Sequence, residues 1–235
     1  WQAGQMQREA ALRYASELAA HSARNAAVPL QQGLEAARTL AATLGALKTS
    51  GNANRQAGHA ILRTVLEQNP RFVGVWTGWE PNAFDERDSD FADRAGHDAT
   101  GRYVPYWNRG GANGSTALDP LTDYEKPGAG DYYQLPKSTG KATLLEPYAY
   151  QIGGKSVLIT TLSVPIVIEG RFVGVAGVDI TLDGIQDMVQ AIRIYENGYA
   201  SLLSNQSIYV AAKDRSKIGK PADTSDGLSN DQLQT

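Results

Sequence analysis

Three β-rich segments separated by short glycine-containing turns constrain this chain more than any other feature. Lys141 to Gln151, Ser156 to Ile168 and Arg171 to Thr181 are dense in Val, Ile, Thr and Leu, and the breaks between them are Gly153-Gly154 and Glu169-Gly170. Short glycine-containing turns between such runs join neighbouring antiparallel strands. The spacing predicts a meander inside an antiparallel sheet.

Upstream the texture is helical. Gln5 to Gly45 is rich in Ala, Leu, Glu, Gln and Arg, all good helix formers. Leu30, Leu34, Ala37, Leu40, Leu44 and Leu47 recur at helical spacing, which marks one apolar stripe. Pro29 and Gly33 interrupt it and predict a kink or break. A helix of about 40 residues would be about 60 Å long, so the segment reads either as two bundle helices or as a stalk beside a domain. Ser50 to Ala57 reads as a linker, and Ala60 to Gln68 as a short helix stopped by Asn69-Pro70. Phe72 to Trp79 and Arg102 to Asn108 read as strands around a polar excursion, Glu80 to Thr100. After the meander come a short helix, Ile185 to Arg193, and a hairpin of Gly198 to Leu203 with Ile208 to Ala212.

Composition excludes several classes. The chain has 235 residues, enough for one large domain or two small ones. Its net charge is −3 with no basic stripe, which argues against nucleic acid. With no cysteine there is no disulfide, thiol catalysis or cysteine-ligated zinc. No apolar run is long enough to cross a bilayer, and no signal peptide opens the chain. Trp1-Gln2-Ala3-Gly4 and Asp231 to Thr235 read as the interior of something longer. His21, His59 and His97 have no partner at metal-ligand spacing and read as surface residues. Phosphate-loop, dinucleotide and nucleophile-elbow motifs are missing. No cofactor is implied. Asp131 and Glu146 keep a carbohydrate hydrolase open as an alternative, since paired carboxylates serve glycoside hydrolysis.

Aromatic residues are unevenly placed. Trp76, Trp79, Tyr103, Tyr106, Trp107, Tyr124, Tyr132, Tyr133, Tyr148 and Tyr150 all fall between 76 and 150, interleaved with Asp119, Asp123, Asp131 and Glu146. A buried Tyr or Trp needs a partner for its polar tip, so this concentration points to a ring-lined pocket. Rings with carboxylates suit a small organic cation, through the ring quadrupole and a charge-assisted hydrogen bond. A purine stacking on the same rings is the competing reading.

The order of elements carries further motifs: Gly101-Arg102-Tyr103-Val104-Pro105-Tyr106-Trp107-Asn108, Gly130-Asp131-Tyr132-Tyr133, Leu145-Glu146-Pro147-Tyr148, and a strand ending Gly174-Val175-Ala176-Gly177-Val178-Asp179. Together they resemble the double-Cache sensor domain of bacterial methyl-accepting chemotaxis proteins. The resemblance implies an α/β fold of the mixed α+β kind: a long N-terminal helix with two stacked PAS-like modules, each a central antiparallel sheet with flanking helices. It implies a stalk helix and linker at 1–59, a membrane-distal ligand-binding module at 60–183, and a connecting helix with a membrane-proximal module at 184–235. It also implies a periplasmic location, flanking membrane helices, a homodimeric receptor and no enzymatic activity. In the amino-acid-sensing branch an Arg precedes a Trp-Tyr pair; here that position is Gly130 and the pair is Tyr132-Tyr133. Tyr148 and Asp179, which face the ligand amine in that branch, are retained, and the Asp expected two residues after Tyr148 is Tyr150. The pattern looks like the relatives that sense polyamines and biogenic amines, with purine sensors sharing much of it. The expected ligand contacts are Tyr106, Trp107, Asp131, Tyr133, Glu146, Tyr148 and Asp179, and Trp76 and Trp79 are further walls that alternation puts on opposite faces. A module that recognises a periplasmic binding protein instead of a small molecule is the remaining alternative.

Overall fold

The computed structural model describes residues 2–194 and 198–228; Trp1 and the segment 229–235 lie outside them. Contacts divide the chain into two units, Gln31–Thr181 and the combination of Trp1–Leu30 with Leu182–Thr235.

The first unit is built on a seven-stranded antiparallel sheet. Its strands are β1 (Phe72–Trp79), β2 (Pro105–Asn108), β3 (Ala117–Pro120), β4 (Thr143–Leu144), β5 (Tyr148–Ile152), β6 (Lys155–Ile168) and β7 (Arg171–Thr181). The order is β3-β2-β1-β7-β6-β4, and β5 also pairs with β6. The predicted meander is β5-β6-β7. At both of its turns the two central residues have positive φ, Gly153 and Gly154 in one and Glu169 and Gly170 in the other, as tight hairpins require.

Helix α1 (Gln2–Thr49) corrects one expectation: it runs unbroken through Pro29. An interior proline costs about 3 kcal/mol in an isolated helix. Here the stripe on both sides of it is buried, with Ala26 upstream and Ala37, Leu40, Ala41 and Leu44 downstream, so packing outweighs the local penalty. Helix α2 (Arg55–Gln68) starts at Asn54, whose side chain accepts from Ala57 N, a cap worth about 1 kcal/mol. The expected strand Lys141 to Gln151 is two strands, because Pro147 between them has no N–H for the ladder. Strand β3 and helix α3 (Asp131–Thr139) were not expected.

The sheet has two different faces. Val75, Leu162, Ile166, Val178 and Ile180 pack toward helices; α2 lies on β1 and β2. Gly33 of α1 sits against Leu162 and Ile180, and Gly45 against Ile166. The opposite face carries Trp76, Tyr106, Thr161 and Asp179, and α3 packs over β6 and β7.

The second unit contains helix α4 (Asp183–Gln190) and the hairpin of β8 (Leu202–Leu203) with β9 (Tyr209–Ala211). Ala26, Ile185, Val189 and Ala211 form its core. The buried Gln186 side chain donates to Ala212 O at 2.6 Å and accepts from Ala212 N at 2.8 Å.

Candidate functional site

Antiparallel pairing brings one carboxylate to the middle of the α3-covered face. Asp179 stands opposite Gly74 on β1 and Thr161 on β6. It is 2 % exposed. Thr161 donates to its Oδ1 at 2.6 Å and the Trp76 indole donates to the same oxygen at 3.2 Å. Tyr148 extends the chain, its hydroxyl 2.7 Å from Thr161 Oγ1. Asp179 Oδ2 and the Tyr106 hydroxyl both lie over Gly74, where a Cβ would fall 2.7 Å and 2.5 Å from them. The close approach requires glycine there. Tyr106 Oη lies near the carboxylate without a well-formed hydrogen bond.

No lysine, arginine or histidine among the described residues pairs with Asp179. A buried carboxylate without a cation is expensive. Burial pushes its pKa up to about 6, against the opposing hydrogen bonds of Thr161 and Trp76 and the nearby Tyr106 hydroxyl. Burial beside this charge pushes the Tyr106 phenol well up as well.

Five rings surround the carboxylate: Trp76, Tyr106, Tyr132, Tyr148 and Tyr150. Trp76 meets Tyr132 at 5.2 Å between centroids, and Tyr150 meets Tyr106, Tyr132 and Tyr148 at 5.5, 6.1 and 6.2 Å. Every one of these pairs is edge-to-face, at 76–86°. Gly177 makes room for the Trp76 indole, which would collide with any Cβ there.

Of the seven expected contacts, Tyr106, Tyr148 and Asp179 come together here. Trp107 does not: it points to the α2 face, where its indole donates to His59 Nδ1 at 3.3 Å and the Arg63 guanidinium covers its ring. The Asp131 carboxylate sits in the first turn of α3 and accepts from Gly128 N at 2.8 Å. Tyr133 turns its hydroxyl to Glu80 at 2.5 Å and to Arg102 at 2.8 Å. Glu146 precedes β5 and has one buried carboxylate oxygen without a hydrogen-bond partner. Tyr132, Tyr150 and Thr161 were missed. Alternation from Tyr148 would have put Tyr150 on its face, whereas Tyr132 needed the unexpected helix.

The surface reading holds for His21 and is corrected for the other two histidines. His97 is buried, stacked on Phe91 at 5.1 Å, and His59 packs edge-on to it at 5.8 Å. Burial, the neighbouring His97 and Arg55 push the His59 pKa down to about 4. Among the described residues no group of three His, Cys, Asp or Glu could hold a metal, and no helix is long and apolar enough to cross a membrane. A cavity of about 870 Å³ in the second unit is lined by Tyr199, Tyr209, Lys213, Lys217, Asp214 and Asp226. Its charges balance, and Lys217 pairs with Asp226.

Known proteins share this fold. Residues 59–187, more than half of the chain, match the methyl-accepting chemotaxis protein-like first PDC sensor domain. The methyl-accepting chemotaxis protein TlpQ of Pseudomonas aeruginosa is 28 % identical over 173 residues, covering 68 % of this chain and 24 % of TlpQ. The chain thus spans about a quarter of that curated relative. The extracellular domain of mmHK1S-Z2, named as a histidine kinase, superposes with a TM-score of 0.80 at 37 % identity, over 89 % of this chain and 75 % of that one. The ligand-binding domain of the P. aeruginosa amino-acid chemoreceptor PctB in complex with L-Arg shares the fold at 20 % identity, with a TM-score of 0.61 over 94 % of this chain and 77 % of that one. This chain belongs to the methyl-accepting chemotaxis protein-like family, as a PDC sensor domain that senses ligands and is not an enzyme.

Proposed function

We propose that the chain is the periplasmic sensing module of a chemoreceptor and that it binds a small organic amine against Asp179. One observation carries this reading: a fully buried carboxylate, ringed by Trp76, Tyr106, Tyr132, Tyr148 and Tyr150, has no cation of its own among the described residues. An ammonium would supply the missing charge, accept the ring quadrupoles and donate to Asp179 and Tyr106 Oη. Edge-to-face packing supports an amine over a purine, because a planar heterocycle would need a parallel pair of rings to lie between. An α-amino acid would bring a carboxylate for which this box holds no cation. Arg102, the buried guanidinium that reaches α3 through Tyr133, is occupied by Glu80, Glu125, Tyr133 and the Trp79 carbonyl. PctB, with its L-Arg, shares only the fold, so the ligand class rests on this chain's own residues.

The test is a thermal-shift panel of putrescine, histamine, adenine and the amino acids, on the wild type and on Asp179→Asn. A ligand at 100-fold over its Kd stabilises by about 2.7 kcal/mol, several degrees in Tm. A shift with amines that is lost in Asp179→Asn supports the reading. A shift confined to adenine or to amino acids would replace the ligand.

A further inference from the structure

A site whose charge is 2 % exposed must open to be filled, and the fold offers few ways to open it. Trp76, Tyr106, Thr161 and Asp179 stand on β1, β2, β6 and β7, all paired on both edges inside the sheet. Moving any of these strands would break ladder hydrogen bonds. Tyr148 and Tyr150 are held through five residue pairs between β5 and β6. Only Tyr132 reaches the box from an element that no ladder holds, helix α3.

Helix α3 is tied down by polar contacts instead. Tyr133 donates to Glu80 at 2.5 Å, Lys137 reaches both Glu80 oxygens at 2.9 and 3.0 Å, and Arg102 joins Glu80 to Tyr133. Gln134 donates to Tyr124 O at 2.7 Å, and Tyr132 donates to Thr122 O. The Glu80 and Lys137 side chains are 27 % and 40 % exposed, so this tie borders solvent. At its two ends stand Gly128 and Gly140, both with φ in the left-handed region and nothing within 4 Å of where a Cβ would be. Beneath it, Tyr106 Oη and Ser163 Oγ are buried without hydrogen-bond partners; Ser163 shares its face of β6 with Thr161. Buried orphan polar groups call for an explanation, and a polar ligand admitted under α3 supplies one.

We propose that α3 is the gate of the aromatic box, hinged at Gly128 and Gly140 and latched by Glu80. The proposal rests on the box being the ligand site. Glu80 touches no part of the box; it is a positioning residue acting through Tyr133 and Lys137. Opening swings Tyr132 off Trp76 and Tyr150 and exposes Asp179 while the sheet stays intact. The latch is ionic, so salt loosens it.

Hydrogen exchange on the ligand-free chain tests the gate independently of any ligand. In Glu80→Gln and in Lys137→Gln the amides of 131–139 should exchange about tenfold faster, the lower end for loss of a charge-assisted hydrogen bond. Amides of 155–168 and 171–181 should be unchanged. Should Glu80→Gln loosen the whole unit, the exposed Lys137→Gln decides. Unchanged α3 protection in Lys137→Gln, or opening of 148–152 ahead of α3, overturns the gate. Putrescine should then slow α3 exchange in the wild type. If putrescine changes nothing while the latch variants still speed α3, the gate stands and the amine reading fails.

Discussion

On the proposed function, Asp179 carries a conflict between stability and binding. Its folded pKa, about 6, lies above the ordinary carboxylate value because it is buried. Ionising it therefore costs stability as pH rises from about 4 to about 6. About two pKa units at 1.36 kcal/mol each set the scale, roughly 2–3 kcal/mol. Asp179→Asn keeps an oxygen for Thr161 and Trp76 and turns its NH₂ toward the Tyr106 hydroxyl. We expect it to be more stable than wild type by that order near pH 7 in urea titration, with the gain gone near pH 4, and to bind no amine. Wild-type amine affinity should fall about tenfold per pH unit below about 6, read by calorimetry, because protonated Asp179 offers no charge. Tryptophan substitutions separate the two faces: Trp76→Phe should weaken amine binding, and Trp107→Phe, on the α2 face with His59, should leave it unchanged. Asp179 was legible in the sequence because a carboxylate within an apolar strand needs a reason to be there. The choice between Tyr106 and Trp107 was not, since alternation separates two neighbours without saying which side a helix covers.

At the scale of elements, local rules held where turn chemistry was strong and failed where tertiary packing decided. The β5-β6-β7 hairpins followed from Gly153-Gly154 and Glu169-Gly170. Helix α3 was hidden because Asp131-Tyr132-Tyr133-Gln134-Leu135-Pro136 mixes β-favouring tyrosines with a proline. Its evidence is tertiary: the Tyr133 hydroxyl on Glu80 and Arg102, and the Tyr132 ring on Trp76. The break near Pro29 failed for the same reason in reverse, burial overriding a local penalty. The glycines of α1 give a quantitative check. A Cβ at Gly45 would meet Ile166 at an ordinary 3.5 Å, whereas one at Gly33 would press on Leu162 and Ile180 at 2.9 Å. Gly45→Ala should gain about 1 kcal/mol from helix propensity. Gly33→Ala should gain nothing, since crowding of the two side chains cancels that term. Chemical denaturation of the two variants decides it. Leu162 and Ile180 directly follow Thr161 and Asp179 in sequence, so the α1 seat lies one residue from the Asp179 face on both strands.

At the scale of the molecule, the strongly perturbed buried groups among the described residues all lie in the Gln31–Thr181 unit, and they pull in opposite directions with pH. His59 is held down to about 4 by burial and by His97 and Arg55, and His97 is held below its ordinary value by burial. Their stabilisation is present above about 6.5 and is lost as pH falls toward the folded values. Burial would raise Glu80, Asp85 and Asp98, but the hydrogen bonds of Tyr133 and Lys137, of Arg55, and of Tyr124 and Thr100 outweigh it and hold all three low. Those contributions fail below about pH 4. Asp179 acts with the opposite sign over about pH 4–6, gaining stability as it protonates, and so offsets the histidines in the same window. Wild-type stability should therefore decline gently from pH 7 to about 5 and steeply below about 4.5. Asp179→Asn should remove the offset and decline steeply through the whole range, and His59→Gln should flatten the upper part of the curve. In the other unit the shifted carboxylates Asp214 and Asp226 are held low by Ser216 and Lys217 at the surface, so its melting should stay flat between pH 7 and 5. Urea midpoints against pH, read from α3-face tryptophan emission for one unit and from hydrogen exchange in 202–211 for the other, measure both. A wild-type midpoint falling as steeply as that of Asp179→Asn would mean that Asp179 ionises normally in the fold, and the case for a buried anion awaiting a cation would go with it.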